Sequence, residues 1–191
     1  MSLTNKLLST LVVVGVAGSL VAFASFSAFS SQTTNSGNTF AAGTVAIGDN
    51  DAGAAMYSLT NQSPDTTVKR CIRVTYTGTL ASTVKLYASQ APGAGANDVN
   101  LVIRQVTGTL PAFPACTGLV DGTVVYTGTL GAFATARTSF ANGLAVNDQS
   151  ASAVWDNTDA VIYQFELTVP SASPQGTTTG THAFQWESQN N

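Results

Sequence analysis

Charged side chains are scarce in this chain. They make up 9% of its 191 residues, against roughly 25% in a typical soluble globular protein. The formal net charge is −3, so the surface has neither the density nor the sign of charge that nucleic-acid binding requires. A weakly charged surface also gives little repulsion between copies, which favours self-association. The composition therefore argues against a nucleic acid as a binding partner, but it is compatible with self-association of the chain.

Histidine is nearly missing, and the commonest catalytic patterns are missing with it. His182 is the only histidine, so the paired histidines of an HExxH zinc site cannot occur. The sequence also contains no G-x-S-x-G elbow and no glycine-rich phosphate loop. Asp49 and Asp51 suggest a calcium loop, but Thr60 stands where such a loop needs its closing glutamate. We expect no enzymatic activity, no cofactor and no metal site.

Long apolar runs are missing everywhere except at the N-terminus. There, Lys6 is followed by an apolar run over residues 7–24 and then by closely spaced small residues. This pattern predicts a secretory signal helix over residues 1–27. Cleavage is expected between Ser27 and Ala28, or alternatively before Ser25. An uncleaved membrane anchor is the other interpretation, because residues 7–29 are long enough to cross a bilayer.

Cysteine occurs only twice, as Cys71 and Cys116. An even number of cysteines in an exported chain favours a disulfide. Cys71 lies on the polar side of a predicted strand, which suits a bridge to the proline-rich loop over residues 111–119. We predict a Cys71–Cys116 disulfide, with two buried free thiols as the alternative.

Strand patterns dominate the remainder. Residues 66–76 and 160–170 alternate apolar and polar side chains, as a half-buried strand requires. Residues 181–188 form a third such segment, with His182 on its apolar face. Turn signals recur about every ten residues and separate about eight or nine strands, which predicts an all-β sandwich or jelly roll over residues 40–191.

Three further segments are less clear. Residues 39–47 are interpreted as the first strand of the domain, and residues 56–59 as a short second strand. The segment 132–144 mixes large apolar and small residues at spacings that allow either a short helix or a wrapping loop.

A five-residue string recurs in the sequence. Tyr76–Leu80 reads YTGTL, Tyr126–Leu130 repeats it, and Val106–Leu110 reads VTGTL. The copies do not follow one another at a constant period, so a solenoid is excluded. We interpret the string as one turn used three times, with glycine at the bend.

The string Asn38–Val45, NTFAAGTV, resembles the N-T-F-x-A-G-T string that follows the signal peptide in the TasA/CalY/camelysin family. The resemblance continues through Ser63–Thr66 into Ile72–Leu80, and again at Phe184–Glu187. Asp65 lacks the glycine that precedes it in the family, and Tyr76 replaces a common asparagine. The resemblance covers nearly the whole chain.

This resemblance implies a jelly roll that is exported by a dedicated signal peptidase and polymerises into pilus-like fibres of the extracellular biofilm matrix. In such fibres the N-terminal segment of one subunit adds as a strand to the next, which makes the protein its own partner. Here that donor segment is residues 28–39; an accessory matrix or anchoring protein is a further expected partner. The segment begins with Ala28, Phe29, Ser30, Ser31, Gln32, Thr33 and Thr34.

The donor segment suits strand addition physically. It contains no proline and few helix formers, so it can pair through its main chain with an exposed sheet edge. A disordered linker is the alternative interpretation of these residues. A second functional hypothesis is a monomeric cell-surface or secreted module that binds carbohydrate or a matrix polymer. Trp155, Tyr163 and Trp186 would then stack on sugars, although aromatic residues in strands more often fill a core.

Overall fold

The computed structural model describes residues 42–190. The predicted signal segment 1–27, the cleavage site between Ser27 and Ala28, and the donor segment 28–39 lie outside these residues. They stay predictions.

The described residues form two antiparallel β-sheets. One sheet has five strands in the order β1-β2-β7-β4-β5, and the other has three in the order β6-β3-β8. This arrangement agrees with the predicted all-β sandwich; the strand number of the whole chain and the jelly-roll topology stay predictions. The strands are β1 (Ile47–Asp49), β2 (Thr67–Tyr76), β3 (Ser82–Gln90), β4 (Asn100–Thr107), β5 (Val120–Thr129), β6 (Leu144–Ala145), β7 (Ala160–Thr168) and β8 (Ala183–Asn190).

The predicted alternation places the core correctly. β2 and β7 pair in register along their length, from Thr67 opposite Thr168 to Thr75 opposite Ala160. Because side chains alternate between the two faces of a strand, one face of this pair points between the sheets. Its members are almost fully buried: Ile72, Val74, Tyr76, Val161, Tyr163, Phe165 and Leu167. The strands predicted at 66–76, 160–170 and 181–188 are therefore confirmed within about two residues, the usual uncertainty of strand ends.

Two short strands are placed differently from the prediction. Of the predicted strand 39–47, residues 42–46 are not in a strand, and β1 instead begins at Ile47 and extends two residues past the predicted end, to Asp49. Residues 56–59 form a loop rather than a strand. Met56 and Tyr57 pack against the core. The apolar residues therefore correctly indicated buried side chains, but the segment does not pair as a strand.

The segment 132–144, for which the sequence allowed either a helix or a loop, contains a short helix, α1 (Leu130–Ala136). This helix begins two residues before the segment. The Thr129 side chain caps it by accepting a hydrogen bond of 3.1 Å from the Ala132 amide. A 3₁₀ turn at Phe140–Asn142 and the two-residue strand β6 complete the segment.

The repeated YTGTL string does not form one turn three times. The Tyr76 hydroxyl donates to the Leu80 carbonyl and contacts Ser82 Oγ at 2.7 Å. The Tyr76 side chain lies directly beside Gly78. The Tyr126 hydroxyl donates to the Thr129 carbonyl at 2.9 Å where β5 leads into α1. Gly108, in the copy without tyrosine, has φ +121°, a conformation that favours glycine. The interpretation as a single turn is therefore wrong. Two copies need glycine because a tyrosine side chain packs beside it, and the third needs glycine because of its backbone conformation.

We expect Gly78→Ala to lower the free energy of unfolding by about 1–3 kcal/mol, the usual effect of overpacking. The added Cβ would overlap the Tyr76 hydroxyl and lie 2.7 Å from the Thr44 carbonyl oxygen. Gly48→Ala is the matched control, because a Cβ there meets nothing within 4 Å. Urea denaturation of both variants checks the prediction. Equal stability of the two would contradict it.

The predicted Cys71–Cys116 disulfide is present, with the two Cα atoms 5.3 Å apart. Cys116 belongs to the loop between β4 and β5, whereas Cys71 lies on β2, beyond β7 in the sheet. The loop therefore crosses the outer face of the larger sheet. There the Cys71 amide donates to the Pro114 carbonyl at 2.9 Å, so the loop also covers part of the β2 edge.

Candidate functional site

The edges of the two sheets are the candidate interaction site. β1 and β6 are short edges of three and two residues, whereas β5 and β8 are edges of ten and eight residues. Within residues 42–190, the outer backbone groups of β5 and β8 form no backbone hydrogen bonds with another segment. A long unpaired edge is a template for a strand from another chain. These two edges can therefore accept one.

The part of the β2 edge that β1 leaves uncovered is better protected than the β5 and β8 edges. β1 covers only the Val74–Tyr76 end of β2. Farther along, the Arg73 amide donates to Asn50 Oδ1 at 2.7 Å, and the Cys71 amide is occupied by Pro114. This edge is capped by loops at the positions where a new strand would have to pair.

A groove of about 180 Å³ lies between β1 and β8. Phe184 and Trp186 project into the sandwich from β8 but are only half buried, whereas their ring partners on β7 are fully buried. Phe184 lies 4.8 Å from Phe165, and Trp186 lies 5.5 Å from Tyr163, between ring centroids. The smaller sheet thus leaves its last aromatic pair partly uncovered. The groove is lined by Ile47, Gly48, Asp49, Asp51, Val74, Phe184, Gln185 and Trp186.

Two polar atoms near this groove are buried without a hydrogen bond of good geometry among the described residues, although the Tyr163 hydroxyl faces the side chains of Gln105 and Trp186. They are the Tyr163 hydroxyl and the Trp186 indole nitrogen. Burial raises the pKa of Tyr163, so the hydroxyl remains a donor. An unsatisfied buried polar group costs about 1–3 kcal/mol. At the end of the core that adjoins β8, these polar groups are therefore poorly paired, and the rings of Phe184 and Trp186 are partly exposed.

The β5 edge has a different character. Val120 and Val124 are 64% and 44% exposed, but the β4–β5 register is broken at two places. Such bulges twist an edge and oppose the addition of a further strand. On the inner side, Tyr126 already packs edge-on against Phe133 of α1 at 4.9 Å.

A cluster of charges occupies the outer face of the larger sheet. Glu166 accepts from Lys69 at 3.2 Å, from Arg104 at 3.0 Å and from Gln164 at 2.8 Å. Burial alone would raise the pKa of Glu166, but the hydrogen bonds and charges of Lys69 and Arg104 outweigh it and hold the pKa below its ordinary value. The cluster joins β2, β4 and β7. Its charges pair with one another.

His182 lies at the core edge. Its Nε2 is 2.6 Å from the Tyr57 hydroxyl, and its Nδ1 is 3.1 Å from the Gly180 carbonyl oxygen. Both ring nitrogens therefore have protein partners. The contact fastens the loop that carries Tyr57 to the start of β8.

The acidic turn is held by its own side chains. Asp49 accepts from the Asp51 amide at 3.0 Å, and Asp51 accepts from the Gly53 amide at 2.6 Å. Among residues 42–190 no three histidine, cysteine, aspartate or glutamate side chains are grouped so as to hold a metal ion.

The three aromatic residues proposed to stack on sugars are mostly inaccessible. Trp155 and Tyr163 are fully buried, and the Trp155 indole donates to the Val146 carbonyl at 3.0 Å. Only Trp186 is partly exposed. Two of the three therefore fill the core, as aromatic residues in strands more often do, and only Trp186 could stack on a sugar.

Comparisons with known proteins give no assignment: no protein-family model matches the chain, and no curated protein matches it significantly. The resemblance to the TasA/CalY/camelysin family accordingly rests on the quoted motifs. Across the described part of the chain, no helix has the length and apolar character needed to cross a membrane. The disulfide indicates folding in an oxidising environment.

Proposed function

We propose that this protein is a structural subunit of an extracellular fibre, in which residues 28–39 of each subunit add as a strand to the next. The observation that carries the proposal is the presence of long unpaired sheet edges on a sandwich with very few charges. Such edges are usually blunted by charged side chains, notably lysine. β5 and β8 contain no lysine or arginine and one acidic residue each, Asp121 and Glu187.

Strand addition joins these edges to the donor segment. Main-chain hydrogen bonds supply the affinity in this mode of binding, so an uncharged polar segment without proline is suited to it. A contact that joins different surfaces of two copies leaves both ends of the assembly open, and it generates a filament. The disulfide supports export, and the resemblance supports a place in the biofilm matrix at the cell surface.

The second candidate is a monomeric module that binds carbohydrate or a matrix polymer. Partly exposed Trp186 in the groove is the one observation that favours it. The same test separates the two functions.

We expect the mature chain, residues 28–191, to form fibres visible by electron microscopy as its concentration rises. The chain 40–191 should stay monomeric, because it lacks the strand that joins subunits. Circular dichroism of both chains shows whether the truncation has preserved the fold. Fibres from the truncated chain would contradict strand donation. If both folded chains stay monomeric, the binding-module function is favoured and is then tested against glycans and matrix polymers.

A further inference from the structure

We propose that the acceptor for the donor segment is the β8 edge, together with the groove between β8 and β1, and that its occupant is residues 28–39 of a second copy. This inference rests on the proposed function and names the surface that it uses. A strand in this position would extend the smaller sheet from three strands to four.

The uncovered side chains favour β8. Phe184 and Trp186 face the core but are half buried, and the groove beside them is walled on the opposite sheet by Ile47 and Val74. Phe29 is the one large apolar side chain in residues 28–39. A strand beside β8 would cover the two aromatic rings and place apolar surface between the sheets, where burial contributes most to affinity.

The hydrogen-bonding requirements favour the same site. The outer backbone groups of β8 are unpaired with any other described segment, and a strand beside β8 would pair with them. The donor segment contains no proline, so each of its residues keeps the backbone N–H that this pairing requires.

Charge complementarity is a third argument. Asp49 and Asp51 line the groove, and burial together with the neighbouring Asp51 raises the pKa of Asp49. Residues 28–39 carry no charged side chain. With cleavage at the predicted Ser27–Ala28 bond, the segment contributes one charge, the α-ammonium of Ala28. A cation entering the groove would relieve the repulsion between the two carboxylates.

The path of the described chain favours a second copy as the source of the segment. Thr44 and Ala46 accept backbone hydrogen bonds from Thr79 and Thr77, beyond the end of β2. Going from β1 toward the N-terminus, the chain thus leaves the groove along this extension. A segment of twelve extended residues reaches roughly 40 Å, enough to lie along the β8 edge of a neighbouring subunit.

The β5 edge is the rival acceptor and gives the matched control. We expect Asp49→Trp to abolish fibre formation by the mature chain. Asp49 lies directly opposite Val74, whose side chain faces the core, so an indole at position 49 would project on the same face and occupy the groove. Asp49 is exposed at the sheet edge, so the substitution should leave the monomer folded. Val124→Trp introduces the same side chain on exposed β5 and should leave the fibre yield within twofold of wild type. Thermal unfolding of both variants checks that they are folded.

Thiol crosslinking tests the contact directly. One mature chain carries Phe29→Cys and a second carries Asp49→Cys or Val124→Cys; the native cysteines of the described residues are already paired. We expect a crosslinked dimer only from Phe29→Cys mixed with Asp49→Cys. A crosslink to Val124→Cys instead, or none to Asp49→Cys, would overturn the inference. So would a crosslink that forms only within a single chain carrying both Phe29→Cys and Asp49→Cys.

The fibre assay separates this inference from the proposed function. If Val124→Trp blocks fibres and Asp49→Trp does not, the acceptor is β5 and the fibre function stands. If both folded variants form fibres, the groove assignment is likewise overturned. If chains without residues 28–39 still form fibres, strand donation itself fails.

Discussion

Addition of the 40–191 chain to the mature chain is expected to shorten the fibres sharply. The truncated chain can accept a donor segment but has none to give, so it ends each filament that it joins. With one truncated chain for every ten mature chains, the mean length should fall to about ten subunits, because each filament has one such end. Negative-stain electron microscopy and sedimentation measure the length distribution.

The Asp49→Trp chain should act at the opposite end, because it keeps its donor segment but its proposed acceptor groove is filled. A mixture of this chain with the 40–191 chain, without any mature chain, should form only a one-to-one dimer. Val124→Trp in place of Asp49→Trp is the control, and it should give fibres shortened by the truncated chain. Fibre lengths unaffected by the truncated chain would contradict head-to-tail growth.

Replacement of both bridging cysteines, Cys71→Ser with Cys116→Ser, is expected to lower the free energy of unfolding by about 4 kcal/mol. The bridge closes a loop with a sequence separation of 45, and the loss of chain entropy in the unfolded state gives this magnitude. Removing both residues avoids a lone reactive thiol. Urea denaturation measures the change, and the wild type under reducing conditions gives a second estimate. A loss below about 1 kcal/mol would show that the bridge adds little stability.

The same double variant separates stability from assembly. The disulfide lies on the outer face of the larger sheet, whereas the proposed acceptor is the β8 edge of the smaller sheet. Under conditions in which the variant remains folded, we expect it to form fibres like the wild type. Loss of fibres by the folded variant would place the outer face of the larger sheet in the subunit contact.

The central strands could be predicted because their signal is local. β7 carries apolar residues at every second position, and so does β2 apart from Arg70; one face of each packs between the sheets. A pattern with a period of two identifies both the strand and its buried face. The disulfide could be predicted for a related reason: Cys71 alternates with Ile72, so it had to lie on the opposite face, where a loop could reach it.

The edges could not be predicted, because strand order depends on contacts between distant residues. Nothing local in β8 shows that it pairs only with β3, nor that β1 would cover just three residues of β2. The groove between β1 and β8 follows from these two facts. Its one local signal was the alternation of Phe184 and Trp186, which indicated an inner face without showing that it would be half covered.

Other errors arose where side chains found unexpected partners. Tyr57 packs on the core and contacts His182, so its segment looked like a strand although it is a loop. Thr129 caps α1, so residues with strand-like character lead directly into a helix. In both cases a contact that the linear pattern does not contain determined the local structure.

The most direct test of strand donation to β8 is electron cryomicroscopy of the fibre formed by the mature chain. We expect continuous density for residues 28–39 beside β8 of the neighbouring subunit, with Phe29 in the groove bounded by Ile47 and Trp186. Density for this segment beside β5, or a subunit contact made without it, would contradict strand donation to β8.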